Sequence, residues 1–322
     1  MRASAPSQVP PGRPRIVVIG SLVLDFVARA NRLPRPGETV LGDAFGIFPG
    51  GKGANQAVQA SRLGAEVYLI GRIGADSAGD RLLASLQESK VKTDFVRQDP
   101  NAPTAACCIH VDQQGRNSIV IVPGANLACG KEDIDQAREI IREADVILAQ
   151  LEIPIATVEY AAEISAQWRV PFVLNPAPAQ KLSRELLSGV TILTPNETEA
   201  ELLTGIPISS DSNWWEAQAA ALLTTGHETI IITLGERGAF LATREQKALV
   251  PAVRVQPTDT TAAGDAFNGA FAVALAGGQT PFDAVKFANI VGALSTTRVG
   301  AQPSMVWRDE IENSLARERK ES

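Results

Sequence analysis

Short apolar runs punctuate this chain at Ile16–Ile19, Val67–Ile70, Val146–Leu148, Phe172–Leu174, Thr191–Leu193 and Thr229–Thr233, and helical spacing fills the intervals between them. Strands that are apolar at nearly every position have no solvent-facing side. They predict an α/β sandwich, a mostly parallel sheet covered by helices on both faces, with ligands at the carboxyl ends of the strands. Two regions break the rhythm. Residues 35–48 and 104–122 alternate polar and apolar positions around breaks such as Asp112-Gln113-Gln114-Gly115, which predicts antiparallel strands outside the main sheet, either a separate small sheet or an edge extension.

Composition narrows the class. A chain of 322 residues, 45% of them hydrophobic, can bury a substantial core within one large α/β domain. The net charge of −6 and a pI near 5.2 point away from a general polyanion-binding surface, so nucleic acid is not an expected partner. Cys107, Cys108 and Cys129 lack C-x-x-C spacing and read as small apolar fillers in a reducing compartment. With only His110 and His227 available, a multi-histidine metal centre is not expected, and carboxylates become the candidate general bases. Residues 1–13, with Pro6, Pro10, Pro11 and Gly12, read as a disordered tail without a signal-peptide pattern, residues 14–315 as the folded domain and 316–322 as a second tail. No run reaches the ~18 apolar residues of a membrane span, so a soluble, cytoplasmic protein is expected.

Chemistry concentrates in two glycine-containing helix starts. Phe267, Ala270, Phe271, Ala274 and Leu275 form one helical stripe that Gly277-Gly278 stops, which sets the first turn near Gly264. Just before it runs D-T-T-A-A-G-D, Asp259 to Asp265. The first N–H groups of a helix lack intrahelical partners and carry the positive end of the macrodipole, and Ala262, Ala263 and Gly264 have almost no side chain to cover them. An anion site beside the Asp265 carboxylate suits phosphoryl transfer, although an acid in a first turn is also an ordinary capping choice.

The second start is Gly50-Gly51-Lys52-Gly53-Ala54-Asn55. It opens a helix with Ala54, Ala57, Val58 and Ser61 on one side and Gly64 at its end. Its backbone can approach a polar ligand closely, with Lys52 and Asn55 as donors. Residues 46–52 also match G-x-x-x-x-G-K, but Gly53 stands where a P-loop requires Ser or Thr, so that reading fails. A nicotinamide-dependent dehydrogenase fails as well, because Gly20-Ser21-Leu22-Val23-Leu24-Asp25 follows the first strand in place of G-x-G-x-x-G.

Taken in order, G-G-K-G-A-N at 50–55, N-E-T-E at 196–199, T-L-G-E-R-G at 233–238, D-T-T-A-A-G-D at 259–265 and G-A-Q-P-S at 300–304 resemble the ribokinase branch of the ribokinase-like (PfkB) carbohydrate kinases, from about Arg15 to Trp307. The resemblance implies a ribokinase-like α/β/α sandwich whose small antiparallel sheet is a lid over the sugar and commonly a homodimer contact. It implies Asp265 as general base and the amides of Ala262, Ala263 and Gly264 as an anion hole. Sugar contacts would fall to position 23, Asp25, Gly51, Lys52, Asn55, Glu152 and Asp265, and nucleotide contacts to Asn196, Glu199, Thr233, Gly235, Gly238, Gly264 and Asn289. Asn196 and Glu199 would organise magnesium through water, although a bare N-x-x-E is also a capping pattern. Asp259, Thr261, Ser295, Arg298, Gly300 and Ser304 match positions that hold potassium in ribokinases.

The implied reaction is ATP-dependent phosphorylation of D-ribose at its 5-hydroxyl. One residue departs from the pattern: Val23 stands where ribokinases usually carry a sugar-contacting asparagine in G-S-x-N-x-D. A sugar hydroxyl facing Val23 loses a partner worth about 1–3 kcal/mol, so 2-deoxyribose or another pentose remains open. A non-catalytic sugar- or nucleotide-binding regulator is the alternative of another class, and an intact base argues against it.

Overall fold

The computed structural model describes residues 12–209 and 213–312; the tails expected at 1–13 and 316–322 fall outside these apart from residues 12 and 13. Its main sheet has nine strands. In spatial order they are Lys247–Val250 (β13), Ala239–Thr243 (β12), Thr229–Thr233 (β11), Ile192–Leu193 (β10), Phe172–Leu174 (β9), Val146–Ala149 (β8), Arg15–Ile19 (β1), Glu66–Gly74 (β4) and Lys92–Asp99 (β5). Neighbours from β11 to β5 pair in parallel, and β12 and β13 add an antiparallel edge.

The continuous apolar runs have the expected cause. In β1, Ile16 and Val18 enter a core formed with α1 (Lys52–Arg62), α2 (Ser77–Glu88), α9 (Ala263–Ala276) and α10 (Pro281–Ser295). Val17 and Ile19 point the other way, into a core with α3 (Lys131–Gln136), α4 (Arg138–Arg142), α5 (Ile155–Trp168), α6 (Arg184–Gly189), α7 (Glu197–Thr204) and α8 (Trp214–Leu223). Successive side chains of a strand alternate between faces, so burial on both sides requires every position to be apolar.

A separate four-stranded sheet holds Gly42–Gly50 (β3), Val23–Ala30 (β2), Ala105–Val111 (β6) and Asn117–Val122 (β7), in that order. Leu24, Phe26 and Ile47 join the core shared with α2, and Arg81 of α2 donates to the Ile47 carbonyl at 3.0 Å. Region 104–122 forms the expected hairpin. Region 35–48 differs: residues 31–41 carry no strand, because Pro34 and Pro36 remove ladder donors, and β3 starts only at Gly42. The centre of this sheet is β2, which sequence reading took for a loop behind the first strand. Only Gly20, Ser21 and Leu22 separate it from β1, and Asn126 braces that crossing by accepting from the Leu22 N–H at 3.1 Å and donating to its carbonyl at 3.0 Å.

Helices α1 and α9 cross closely. A Cβ on Gly269 would lie 2.8 Å from the Gln56 carbonyl and 2.9 Å from the Gln59 side chain, so only glycine permits this approach. The contact brings the starts of the two helices together above the carboxyl ends of β1, β8, β9 and β10.

Candidate active site

Asp265 sits in the first turn of α9 and is almost fully buried. Asn55 donates to one carboxylate oxygen at 2.9 Å and Gln56 to the other at 2.9 Å, both from the start of α1. Burial pushes the Asp265 carboxyl above its ordinary range, against the pull of Lys52 and of these two amides; Glu152 adds to the rise. The Asn55 carbonyl oxygen is buried without a protein partner, so the residue can accept from a ligand while donating to Asp265.

The turn before Asp265 is shaped by Ala262, which caps α9 in a left-handed conformation at φ 60°. That bend carries the Ala263 N–H to the Thr260 carbonyl at 3.3 Å, so Ala263 is already occupied. Among the described residues no acceptor takes the N–H of Ala262 or Gly264. A Cβ at Gly264 would meet nothing within 4 Å, so no neighbouring group demands glycine there, and the space lies open over the helix start.

On the adjoining side, Glu152 follows β8 and accepts from the Ser21 hydroxyl and, at 3.0 Å, from the Lys52 N–H. Gly51 caps α1 at φ 90° with its Cα against the Ser21–Val23 backbone, where a side chain would collide. Asp25 lies on β2, and a Cβ at Gly50 would strike its carboxylate. Desolvation, with Glu152 nearby, raises Asp25 from its ordinary value of 3.8 to about 7. Val23 is buried against Ala105 and Cys107, so the wall beside Asp25 is apolar. Lys52 makes no ion pair among the described residues. Burial alone would lower its pKa, but Asp265, Glu152 and Glu199 together raise it.

Asn196 and Glu199 form a reciprocal capping box at the start of α7: Asn196 accepts from the Glu199 N–H at 2.8 Å, and Glu199 accepts from the Asn196 N–H at 2.8 Å and side-chain amide at 2.9 Å. Glu199 is nonetheless buried beside the site, with burial and Asp265 raising its pKa against Lys52. Thr233 ends β11 and donates its N–H to the Pro195 carbonyl. Gly235 and Gly238 turn the chain into β12 at positive φ, and Gly238 packs against the Val250–Ala252 backbone. Asn289 uses its amide on the Val250 and Pro251 carbonyls at 2.9 and 3.3 Å, so it positions that backbone.

Asp259, Thr261 and Gly300 meet directly. One Asp259 oxygen accepts from the Thr261 amide and hydroxyl, the other from the Gly300 N–H at 2.9 Å. Burial alone would raise Asp259, but these donors hold it below the usual carboxylate range. Ser295 and Ser304 spend their hydroxyl protons on the Gly292 and Ala301 carbonyls, and the Arg298 guanidinium pairs with Glu310. His227 is buried against the Val190 carbonyl and His110 is exposed on β6, so neither belongs to the site.

Sequence reading missed the polar groups behind Asp265. Gln56 also donates to Asn175 at 3.1 Å and accepts from Gln150 at 2.6 Å; Asn175 donates to the Thr194 carbonyl; the Thr194 hydroxyl donates to Asn268 at 2.6 Å, which donates to the Gly264 carbonyl. Gln150, Asn175 and Thr194 each follow a strand end, where polar residues in an apolar run were the available signal.

A lidded α/β sandwich with a buried carboxylate at an open helix N-terminus defines a small-molecule kinase. The chain matches the model for pfkB family carbohydrate kinases over residues 13–308, and it belongs to that family of phosphotransferases. It is 41% identical to a ribokinase of Haemophilus influenzae over 298 residues, 92% of this chain and 97% of that protein. It is 38% identical to a deoxyribokinase of Salmonella typhi, covering 90% and 94%. The structure of an Arabidopsis thaliana ribokinase complexed with ribose and ATP superposes with a TM-score of 0.88 at 33% identity, covering 94% of this chain and 99% of that one.

The Asp25 shift has a stability consequence. Folded Asp25 keeps its proton up to about 7, whereas the unfolded chain releases it above 3.8, so the folded state loses stability as pH rises between these values. Asp25→Asn removes that loss. Thermal unfolding should find the variant more stable than the parent at pH 8 by about 1–2 kcal/mol, after allowance for partial solvent access, and the gain should shrink towards pH 5. A gain independent of pH would contradict burial as the cause.

Proposed function

We propose that the protein transfers the γ-phosphoryl group of ATP to the 5-hydroxyl of D-ribose, giving ribose 5-phosphate and ADP. The observation that carries this reading is the buried Asp265 carboxylate beside the open amide of Gly264. Asp265 takes the hydroxyl proton as the sugar oxygen bonds to the γ-phosphorus. The bond from that phosphorus to the β,γ-bridging oxygen breaks, and ADP leaves with its electron pair. The amides of Ala262, Gly264 and, once released from Thr260, Ala263 stabilise charge on the transferred group. Asp25 and Glu152 accept from sugar hydroxyls, while Gly51, Lys52 and Asn55 line the same pocket. Thr233, Gly235 and Gly238 approach the nucleotide, and Asn289 shapes its adenine side.

Among the described residues, Lys52 is the one cation acting on Glu152, Glu199 and Asp265, and Asp25 adds a further acid beside Glu152, so a bare triphosphate would be repelled. Magnesium bound with ATP would neutralise phosphate charge. Asn196 and Glu199 fit it through water, since both Glu199 oxygens already accept from Asn196 yet retain lone pairs.

Val23 favours 2-deoxyribose as a second reading, because its buried apolar wall offers a hydroxyl nothing. Relatives named ribokinase and deoxyribokinase are similarly alike to this chain, so overall likeness does not separate the two.

Potassium is proposed as an activator. Asp259, Thr261, Ser295, Gly300 and Ser304 provide an oxygen-only set, and Arg298, with its guanidinium on Glu310, adds its carbonyl; a hard monovalent cation suits such donors. The loop they order carries Ala262 at its end. A homodimer through the lid is supported by β7, where Ile119, Val120 and Ile121 are 52, 63 and 48% exposed, and by Phe45 of β3 at 66%. A cytoplasmic location accompanies an ATP-dependent reaction on a free sugar, and no helix among the described residues is long and apolar enough to cross a membrane.

A coupled ADP-release assay tests the reaction. D-ribose should lead a sugar panel by kcat/KM, and Asp265→Asn should keep ATP binding while losing about 10²–10⁴-fold in turnover. Val23→Asn should shift the ribose-to-deoxyribose ratio towards ribose by about tenfold; deoxyribose leading in the parent would transfer the assignment to that sugar. Replacing potassium by a tetraalkylammonium ion should lower kcat, and equal rates would remove the cation from the mechanism. Sedimentation should give a dimer that Ile119→Lys with Ile121→Lys dissociates; a monomeric parent at micromolar concentration would refute the lid contact.

A further inference from the structure

Asp265 has two amide donors, and they differ in what else they can touch. Asn55 presents an unpartnered carbonyl oxygen and stands at the ligand's edge of the site. Gln56 is fully buried, so no atom of it reaches a substrate. Its amide orientation is nevertheless determined at every position. The nitrogen donates to Asp265 and Asn175, and the oxygen accepts from Gln150, itself fully buried. Asn175 is oriented in turn, because its nitrogen donates to the Thr194 carbonyl at 3.1 Å and leaves its oxygen for Gln56.

We infer that Gln56, locked by Gln150 and Asn175, is a positioning residue that holds the Asp265 carboxylate in the orientation needed to take the acceptor proton. The inference rests on the reading of Asp265 as the base. A carboxylate on a short side chain is free to rotate about its last bond unless both oxygens are tied. Asn55 ties one, but Asn55 must also answer to the sugar, so a second tie independent of the ligand keeps the base in place as substrate enters and product leaves. The same chain of groups runs on through Thr194 and Asn268 to the Gly264 carbonyl. The base and the peptide that joins it to Gly264 therefore share one frame. The charged groups facing Asp265 are Lys52 from α1, Glu152 behind β8 and Glu199 from α7; none hydrogen-bonds it, so none can replace Gln56 as an orienting partner.

The test uses the full-length enzyme with MgATP and its best sugar. Gln56→Met keeps side-chain length and removes the donors. It should lower kcat about 10–100-fold with the sugar KM within about threefold, and move the acid limb of the kcat–pH profile upward by about one unit, because a buried carboxylate loses a donor to its ionised form. Gln56→Glu keeps the shape and the acceptor for Gln150 but sets two carboxyls against each other, and should move the limb further. This variant decides the matter if Gln56→Met does not fold. Gln150→Leu, one step removed, should give a smaller kcat loss in the same direction. A kcat loss with an unmoved acid limb, or a raised KM with unchanged kcat, would overturn the inference. Should the parent enzyme turn over no sugar, the proposed reaction itself fails; a carbon-13 NMR titration of Asp265 in parent and Gln56→Met then decides separately, and an unmoved titration rejects Gln56 as an orienting partner.

Discussion

A carboxylate taken out of water is the constraint from which this architecture follows. Asp265 is buried within a largely apolar helix, and an ionised group there is tolerated only with donors at both oxygens and a cation in range. Those donors come from α1, so α1 and α9 must touch. Gly269 permits the contact by leaving room for the Gln56 carbonyl, and Gly53 lets α1 settle on the Gly20–Ser21 backbone at the end of β1. The glycines around the site thus serve the approach of helix to helix and helix to strand. Gly264 and Gly235 differ: a Cβ at either would meet nothing within 4 Å, which leaves those approaches to a ligand.

The site's acids are held at an electrostatic disadvantage. Burial raises Asp25, Glu199 and Asp265 together, and Lys52 answers Glu199 and Asp265 with one charge while Asp25 has only Glu152 beside it. Groups that would lower this strain, such as further lysines, would also bind phosphate without discrimination. In the proposed reaction ligands would relieve the disadvantage by supplying hydroxyl donors to the acids and a metal-complexed phosphate to the amides, so stability forgone at the site would reappear as differential binding. The loop at Asp259 sits apart from this balance, with its carboxylate satisfied by Thr261 and Gly300 and held below the usual carboxylate range.

The parallel sheet was legible because apolar runs buried on two faces have only one physical explanation, and both helix starts were legible because a glycine pair or an Ala-Ala-Gly step leaves backbone donors uncovered. Strand β2 was not. Its residues, half-buried in a small sheet, alternate too weakly to separate from a loop, and Asp25 near its start reads like a turn acid. The β12–β13 edge escaped for a related reason, since it joins β11 through a turn whose glycines, Gly235 and Gly238, resemble a ligand loop. Asn175 and Thr194 carried only the faint signal of a polar residue at a strand end, and Gln56 was invisible because its meaning is purely tertiary. A glutamine one residue past Asn55 carries no sign of facing Asp265 until α9 is laid across it.

The position of β2 explains how specificity and enclosure become one property. It leaves β1 after three residues, pinned by Asn126 at Leu22, and carries Val23 and Asp25 into the lid sheet, where they pair with Ala105 and Cys107 of β6. Lys52, Asn55 and Glu152 belong to the main body. In the proposed reaction a sugar held between them would bridge two sheets, and each hydroxyl satisfied on the lid side would also fix the cover that excludes water from phosphoryl transfer. An apolar Val23 on that side would weaken the bridge for a sugar with a hydroxyl there and leave it intact for one without. Discrimination at this residue should consequently reach turnover as well as affinity, because the group that selects the sugar is part of the element that closes over it.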